Sequence, residues 1–290
     1  MQTHVKPALK AIYPLSPMQQ GLLFNTLFHS DSSTDFVQQR YILRGALNVV
    51  ALRAAWEQVV VRHDILRTQF RWEGVKQPLQ IVWQQCELPW MEQDWREAVP
   101  VAQEKRLQTF LRADFAQGIE LKRAPLFRLS LIRQAQEVYQ LIWSYHHILL
   151  DGWSNDIVWR EVLELYEAEV AGVALELPPS QPYKNYITWL QHLDDTDAEH
   201  YWRSALSGFQ EATKLRVQQA VPGKSRGVID YQEQRLVLSA KVSSQMQSFK
   251  ERYRITANTL VQAAWAYLLS SYSGEKDVLF GSVVAGRPGE

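Results

Sequence analysis

The chain has 290 residues, and its 31 Lys and Arg balance its 31 Asp and Glu, whereas a nucleic-acid-binding protein would ordinarily carry a basic excess. Hydrophobic residues make up 46% and charged residues 21%, which is too apolar for a disordered chain, and no apolar run is long enough to cross a bilayer. The single cysteine, Cys86, excludes an intrachain disulfide and a cysteine-based zinc site. Met1 to Lys10 lacks the apolar core of a signal peptide, so a soluble, cytoplasmic protein is expected. The 11 Trp, 12 Tyr and 10 Phe are expected to fill a core.

Ser16 followed by Pro17 is a helix start, and Met18, Leu22, Leu23 and Leu27 continue it at helical spacing. Val37 to Leu43 reads as a strand. Asn48 to Arg62 reads as a helix, with Leu52, Trp56, Val59 and Val60 on one stripe. Leu66 to Trp72 and Leu79 to Trp83 form a hairpin-like pair of strands around Glu73, Gly74 and Pro78. Val101 to Phe115 is helical, Leu126 to Ile132 and Val138 to Tyr145 are neighbouring strands, and a helix runs from about Asn155 to Val170.

Ala171 to Pro182 contains Gly172, Pro178, Pro179 and Pro182 with no period, the signature of a linker. Beyond it the pattern predicts helices at Tyr186–Leu193 and Ala198–Leu206, a loop at Gln218–Gly227, and a strand at Val228–Leu238. Helices at Ala240–Tyr253 and Ala257–Ser271 and a last strand at Asp277–Val284 follow. The elements are mixed α/β without the alternation of a doubly wound sheet. Ending just after a strand, the second lobe is expected to be incomplete.

The string from Tyr145 to Ser154, Tyr-His-His-Ile-Leu-Leu-Asp-Gly-Trp-Ser, lies where an apolar strand gives way to a helix. Adjacent histidines on a strand face opposite sides, so only one of His146 and His147 can face a cleft, and together they make a poor metal clamp. No HExxH is present, and a metal is not expected. One exposed imidazole suits general-base work or a hydrogen bond to a reacting amine or alcohol. Asp151 could orient an imidazole, pair with an arginine, or cap the following helix.

His146-His147, three residues, then Asp151-Gly152 resembles the signature of the condensation domains of nonribosomal peptide synthetases, within the chloramphenicol-acetyltransferase-like superfamily. Tyr13-Pro-Leu-Ser-Pro-Met-Gln-Gln-Gly-Leu-Leu-Phe24 is similar to the family's opening motif, and Arg62-His-Asp-Ile-Leu-Arg-Thr-Gln-Phe70 to its second. Tyr183 to Trp189, Tyr201-Trp202 and Val278 to Arg287 resemble later segments in order, while the Gly-x-Phe-Val-Asn-Thr motif is absent.

The resemblance implies mixed sheets in two lobes forming a V with a central tunnel, residues 1–175 carrying HHxxxDG and 176–290 forming a partial second lobe. It implies that His147 contacts the α-amine of an acceptor aminoacyl thioester, which attacks a donor thioester to form a peptide bond. Both substrates would arrive on the phosphopantetheine of donor and acceptor peptidyl carrier proteins beside an adenylation domain. No tightly bound cofactor, nucleic acid or membrane is implied. His146 is expected to pack on the other face, and Asp151 to pair with Arg62 as a structural couple. Gly152 is expected to admit substrate or permit a turn. Trp153 and Ser154 are placed along the substrate channel, with Ser154 a helix cap and not a nucleophile, since no G-x-S-x-G surrounds it. Trp202 and Tyr186 are expected to pack. The string Ile148 to Ser154 resembles domains that join two L-residues. Two rival readings share HHxxxDG: a coenzyme-A-dependent acyltransferase of the same superfamily, and a non-catalytic carrier-binding fragment.

Overall fold

Seven strands and eight α-helices form within residues 8–28, 35–209, 211–214 and 234–283, which the computed structural model of the protein describes. They fall into two compact units, Met1–Leu193 and Asp194–Glu290. The first unit begins β1 (Leu9–Pro14), α1 (Pro17–Phe28), β2 (Phe36–Arg44), α2 (Val49–Arg62), a 3-10 turn at Asp64–Arg67, β3 (Thr68–Arg71) and β4 (Leu79–Trp83). It continues with β5 (Trp90–Asp94), α3 (Pro100–Gln117), β6 (Phe127–Ala135), β7 (Val138–His146), α4 (Gly152–Ala171) and α5 (Tyr183–Gln191).

The strands make a three-stranded sheet, β1-β4-β3, and a four-stranded sheet, β2-β7-β6-β5. All pairings are antiparallel except β5 with β6. β7 is central and is buried at every position after Val138, so its apolar residues fall on both faces and Gln140, Ser144 and His146 are buried with them. One face of this sheet carries Leu129, Leu131, Leu141, Trp143 and Tyr145 against Trp56 and Val59 of α2 and Val158 and Val162 of α4. Trp56, Trp143 and Trp159 meet edge to face there, with ring centroids 4.9, 5.5 and 6.1 Å apart. Each such contact adds about 0.5–1.5 kcal/mol beyond the area it buries. Ile132 and Ile142 point the other way, onto Trp95 and Leu107, the latter on α3. The aromatic excess fills the core only in part: Trp56, Phe70, Trp95, Phe127 and Trp143 are buried, whereas Phe24, Phe28, Trp153, Tyr201 and Tyr267 are exposed.

Several boundaries differ from the sequence expectation. The strand expected from Leu66 starts at Thr68, because Asp64–Arg67 closes into a 3-10 turn first. β1 and β5 are additional strands; β5, Trp-Met-Glu-Gln-Asp, is an edge strand whose polar residues hide any alternation. α5 belongs with the first unit, since Ile187, Tyr183, Tyr186 and Leu190 pack on Tyr13 and Val82, so the unit boundary lies past the Pro-rich linker.

The second unit carries α6 (Thr196–Ala205), α7 (Ala240–Tyr253) and α8 (Ala257–Ser273). Ser239 and Thr256 cap α7 and α8 by accepting from the N–H groups of Val242 and Thr259. Residues 234–238 and 277–283, expected as strands, have no regular structure, since no strand among the described residues pairs with either. The loop expected at Gln218–Gly227 lies outside the described residues, as do Val228 to Glu233 and Val284. Trp202 stacks edge to face on Tyr201 and is 58% exposed, so it is not the packed residue expected.

Candidate active site

β7 ends at His146, and His146–Leu149 closes a turn in which the Leu149 N–H donates to the His146 carbonyl at 3.0 Å. Ile148, Leu149 and Leu150 are all buried and anchor the turn in the core. His147 is the one exposed residue between Leu141 and Leu150. Apolar side chains on both sides thus leave a single imidazole at the surface of this segment.

The two histidines are chemically unlike. His146 is 4% exposed. Its Nδ1 accepts the Ile148 N–H at 3.1 Å, so in the neutral ring the proton sits on Nε2, which donates to the Thr26 hydroxyl at 3.1 Å. Thr26 Oγ1 lies 2.9 Å from the Leu22 carbonyl and 3.0 Å from the carboxylate of Asp35. Burial lowers the His146 pKa from 6.5 to about 4; nearby Asp35 opposes the shift and His147 adds to it. His146 is therefore neutral at pH 7.

His147 is held by its backbone and by one ring nitrogen. Its N–H donates to the Asp35 carbonyl at 2.7 Å, just before β2, whose Phe36 pairs with His146. Its Nδ1 lies 2.8 Å from the Leu150 carbonyl oxygen. A carbonyl only accepts, so Nδ1 carries the hydrogen and the neutral ring presents its lone pair at Nε2. This is the arrangement a proton acceptor or amine-positioning group needs: tautomer fixed on one side, basic nitrogen on the other. Gln19, buried in α1, donates from Nε2 to the Ile148 carbonyl at 3.3 Å.

Asp151 is the N-cap of α4 and accepts the Ser154 N–H at 2.8 Å. Gly152 is the first residue of that helix without a left-handed backbone, and a Cβ there would meet no heavy atom within 4 Å among the described residues. A turn requirement does not account for this glycine. Trp153 is 65% exposed beside it. Asn155 fixes the first turn of α4 to the sheet, donating to Gln39 at 2.8 Å and lying 3.3 Å from the Tyr145 hydroxyl. Burial raises the Tyr145 pKa to about 12. Among the described residues no three His, Cys, Asp or Glu side chains are grouped to hold a metal ion.

Arg62 has a different partner from the one expected. Its Nε donates to Glu161 of α4 at 3.0 Å, and its guanidinium donates to the Pro178 carbonyl, while His63 reaches the same Glu161 oxygen at 2.5 Å. Arg62 lies at the end of α2, and Glu161 lies two and a half turns into α4, where it meets the guanidinium. The buried arginine of the second motif is Arg67, 2% exposed. Its side chain donates to Asp64 and to the carbonyls of Val60, Val61, Trp83 and Gln84. The sequence reading missed Arg67, Thr26, Asp35 and Gln19. Ser16-x-x-Gln19 is a capping-box pattern and offered a signal for the last: Ser16 N–H donates to Gln19 Oε1 at 3.0 Å, and Gln19 N–H to Ser16 Oγ at 3.2 Å.

The condensation-domain model matches residues 10–290. A linear gramicidin synthase protein of Brevibacillus parabrevis is 40% identical over 282 residues, which span 97% of this chain but 6% of that protein. Among solved structures, a four-domain nonribosomal peptide synthetase bound to AMP and glycine aligns with a TM-score of 0.73 at 19% identity, covering 94% of this chain and 20% of that one. The starter condensation domain of rhizomide synthetase aligns with a TM-score of 0.68 at 20% identity, covering 96% and 64%. These structures have the chloramphenicol-acetyltransferase-like fold expected from the sequence. The chain thus spans only a small part of the curated relative.

Proposed function

Since the chain belongs to the condensation-domain family of nonribosomal peptide synthetases, we propose that it forms a peptide bond between two carrier-bound aminoacyl groups, with His147 at the reacting amine. The α-amine of the acceptor attacks the donor thioester carbonyl; the C–N bond forms, the C–S bond breaks, and the donor's phosphopantetheine leaves as a thiol. The amine must shed a proton on the way, and Nε2 of His147 is the lone pair that receives or orients it. The observation that carries this reading is the fixed tautomer of the one exposed residue in the segment, with Nδ1 tied to the Leu150 carbonyl.

Gly152, whose missing side chain meets open space, leaves room for the acceptor beside the cap of α4. Trp153, exposed at the same helix start, lines the approach with Ser154. Asp151 and His146 shape the site without touching substrate, whereas Arg62, tied to Glu161 and Pro178, supports α4 further along. The partners are donor and acceptor peptidyl carrier proteins and a neighbouring adenylation domain in the cytoplasm. The string Ile148 to Ser154 supports the L-to-L subtype, and no bound cofactor is required.

The test is to incubate the chain with donor and acceptor aminoacyl carriers and look for dipeptidyl carrier by intact mass. Wild type is expected to yield product. His147→Ala should lose on the order of 10²–10⁴-fold in rate, the range for a positioned acid or base. Carrier binding without product by a folded wild-type chain would favour the non-catalytic reading instead.

A further inference from the structure

We propose that α1 is a two-point clamp that positions His147, acting through Thr26 and Gln19 on the residues either side of it. The inference rests on the peptide-bond reading above for its kinetic consequence, but not for its geometry. Thr26 and Gln19 are seven residues apart, two helical turns, and so share one face of α1. Thr26 receives the ring N–H of His146 at 3.1 Å, and Gln19 donates to the Ile148 carbonyl at 3.3 Å. The two residues that bracket His147 are thereby fixed to one rigid helix.

The clamp cannot easily adopt another geometry. The capping box commits Gln19 Oε1 to the Ser16 N–H, so the two hydrogens on Nε2 must go elsewhere. One goes to Gln80 Oε1 at 3.1 Å and the other to Ile148. Gln80 is fully buried and is oriented in turn by donating to the Pro14 carbonyl at 3.0 Å. A run of buried amides therefore connects the end of β1, the start of β4 and the His147 turn, each with its donors and acceptors assigned. Rotating any one of them would leave a buried polar group unpaired. At the other end, Thr26 also meets Asp35, whose carbonyl holds the His147 N–H. Thr26 and Gln19 are positioning residues; His147 itself is held by Asp35 and Leu150.

The test uses the chain with 15N-labelled histidine, the His147 signals being identified by comparison with His147→Ala. Wild type should show the Nδ1–H tautomer of His147. Thr26→Val, which keeps the side-chain shape but removes the hydroxyl, and Gln19→Glu, which keeps the capping acceptor but removes the amide donor, should both reduce that tautomer's population. Both should lower kcat on the order of 10- to 100-fold with the acceptor KM unchanged, as expected when a reacting group is misplaced. Thr26→Ser should recover the tautomer and the rate. Folded Thr26→Val and Gln19→Glu proteins with wild-type tautomer and kcat would overturn the clamp. A tautomer change in a chain whose wild type forms no dipeptidyl carrier would instead sink the peptide-bond reading and leave the clamp standing.

Discussion

Arg67 and Asp64 close an ion pair at 2.6 Å while the other N–H groups of the same guanidinium are taken up by backbone carbonyls. The five donors of an arginine meet five acceptors, which gather the end of α2, the 3-10 turn and the strand end after β4 around one cation. Arg67→Met is expected to cost about 3–5 kcal/mol, because four carbonyls lose their partner together and the carboxylate of Asp64 is left with Lys10 alone. Arg67→Lys should recover only part of this, since an ammonium has three donors and no planar fork. Urea unfolding of the variants measures both; a loss below about 1 kcal/mol for Arg67→Met would contradict the account.

The buried imidazole of His146 makes stability depend on pH. Its pKa falls from 6.5 in the unfolded chain to about 4 in the native protein. The unfolded state thus takes up a proton before the folded state does. The contribution is complete above about pH 6.5 and declines as pH falls toward 4, by about 3 kcal/mol across that window. Unfolding free energies at pH 7.5, 5.5 and 4.5 should trace the decline, and His146→Gln should flatten it relative to wild type.

Arg62 and Glu161 should show coupling in a double-mutant cycle of roughly 1–3 kcal/mol, since the pair is partly desolvated and shares its carboxylate with His63. Because Arg62 also donates to Pro178, and Ser180 to the Arg62 carbonyl, Arg62→Ala should speed limited proteolysis within Ala171–Pro182. An unchanged cleavage rate would mean that these bonds do not hold the linker.

Gly152→Ala separates folding from function. The position is helical and open, so alanine should leave stability within about 1 kcal/mol of wild type or raise it slightly. Under the proposed function the added methyl occupies acceptor space, and the rate of dipeptidyl-carrier formation should fall while the melting temperature holds. Full activity in Gly152→Ala would remove substrate room as the reason for this glycine.

Elements whose pattern is local were legible in the sequence. α2 declared itself through Leu52, Trp56, Val59 and Val60, although Asn48, expected as its first residue, is its N-cap. The exposed edge strand β5 was hidden because its Trp-Met-Glu-Gln-Asp sequence does not alternate and its partner, β6, lies far along the chain. Arg62 was preferred over Arg67 because a motif says which residues matter and not which way they point. Only the 3-10 turn at Asp64–Arg67 buries the second arginine. The contacts of Thr26 and Gln19 with the His147 turn were silent, since His146 and Ile148 lie more than a hundred residues away; only the capping box of Gln19 with Ser16 was local. Residues 234–238 and 277–283, the described parts of two expected strands, lack regular structure for a related reason: apolar residues make a strand only where another strand offers a ladder.

The pairing of β2 with β7 runs without a break from Phe36 opposite His146 to Arg44 opposite Val138. Two identical side chains stand next to each other at its end, and nothing in their chemistry distinguishes them. The ladder does: it assigns one imidazole to a dry slot under Thr26 and sends the next one outward. Sliding β7 by a single residue would exchange wet and dry positions and leave the surface ring with the wrong neighbours. Which of the two histidines faces outward is therefore a property of strand register, decided along the whole ladder as much as at the turn itself.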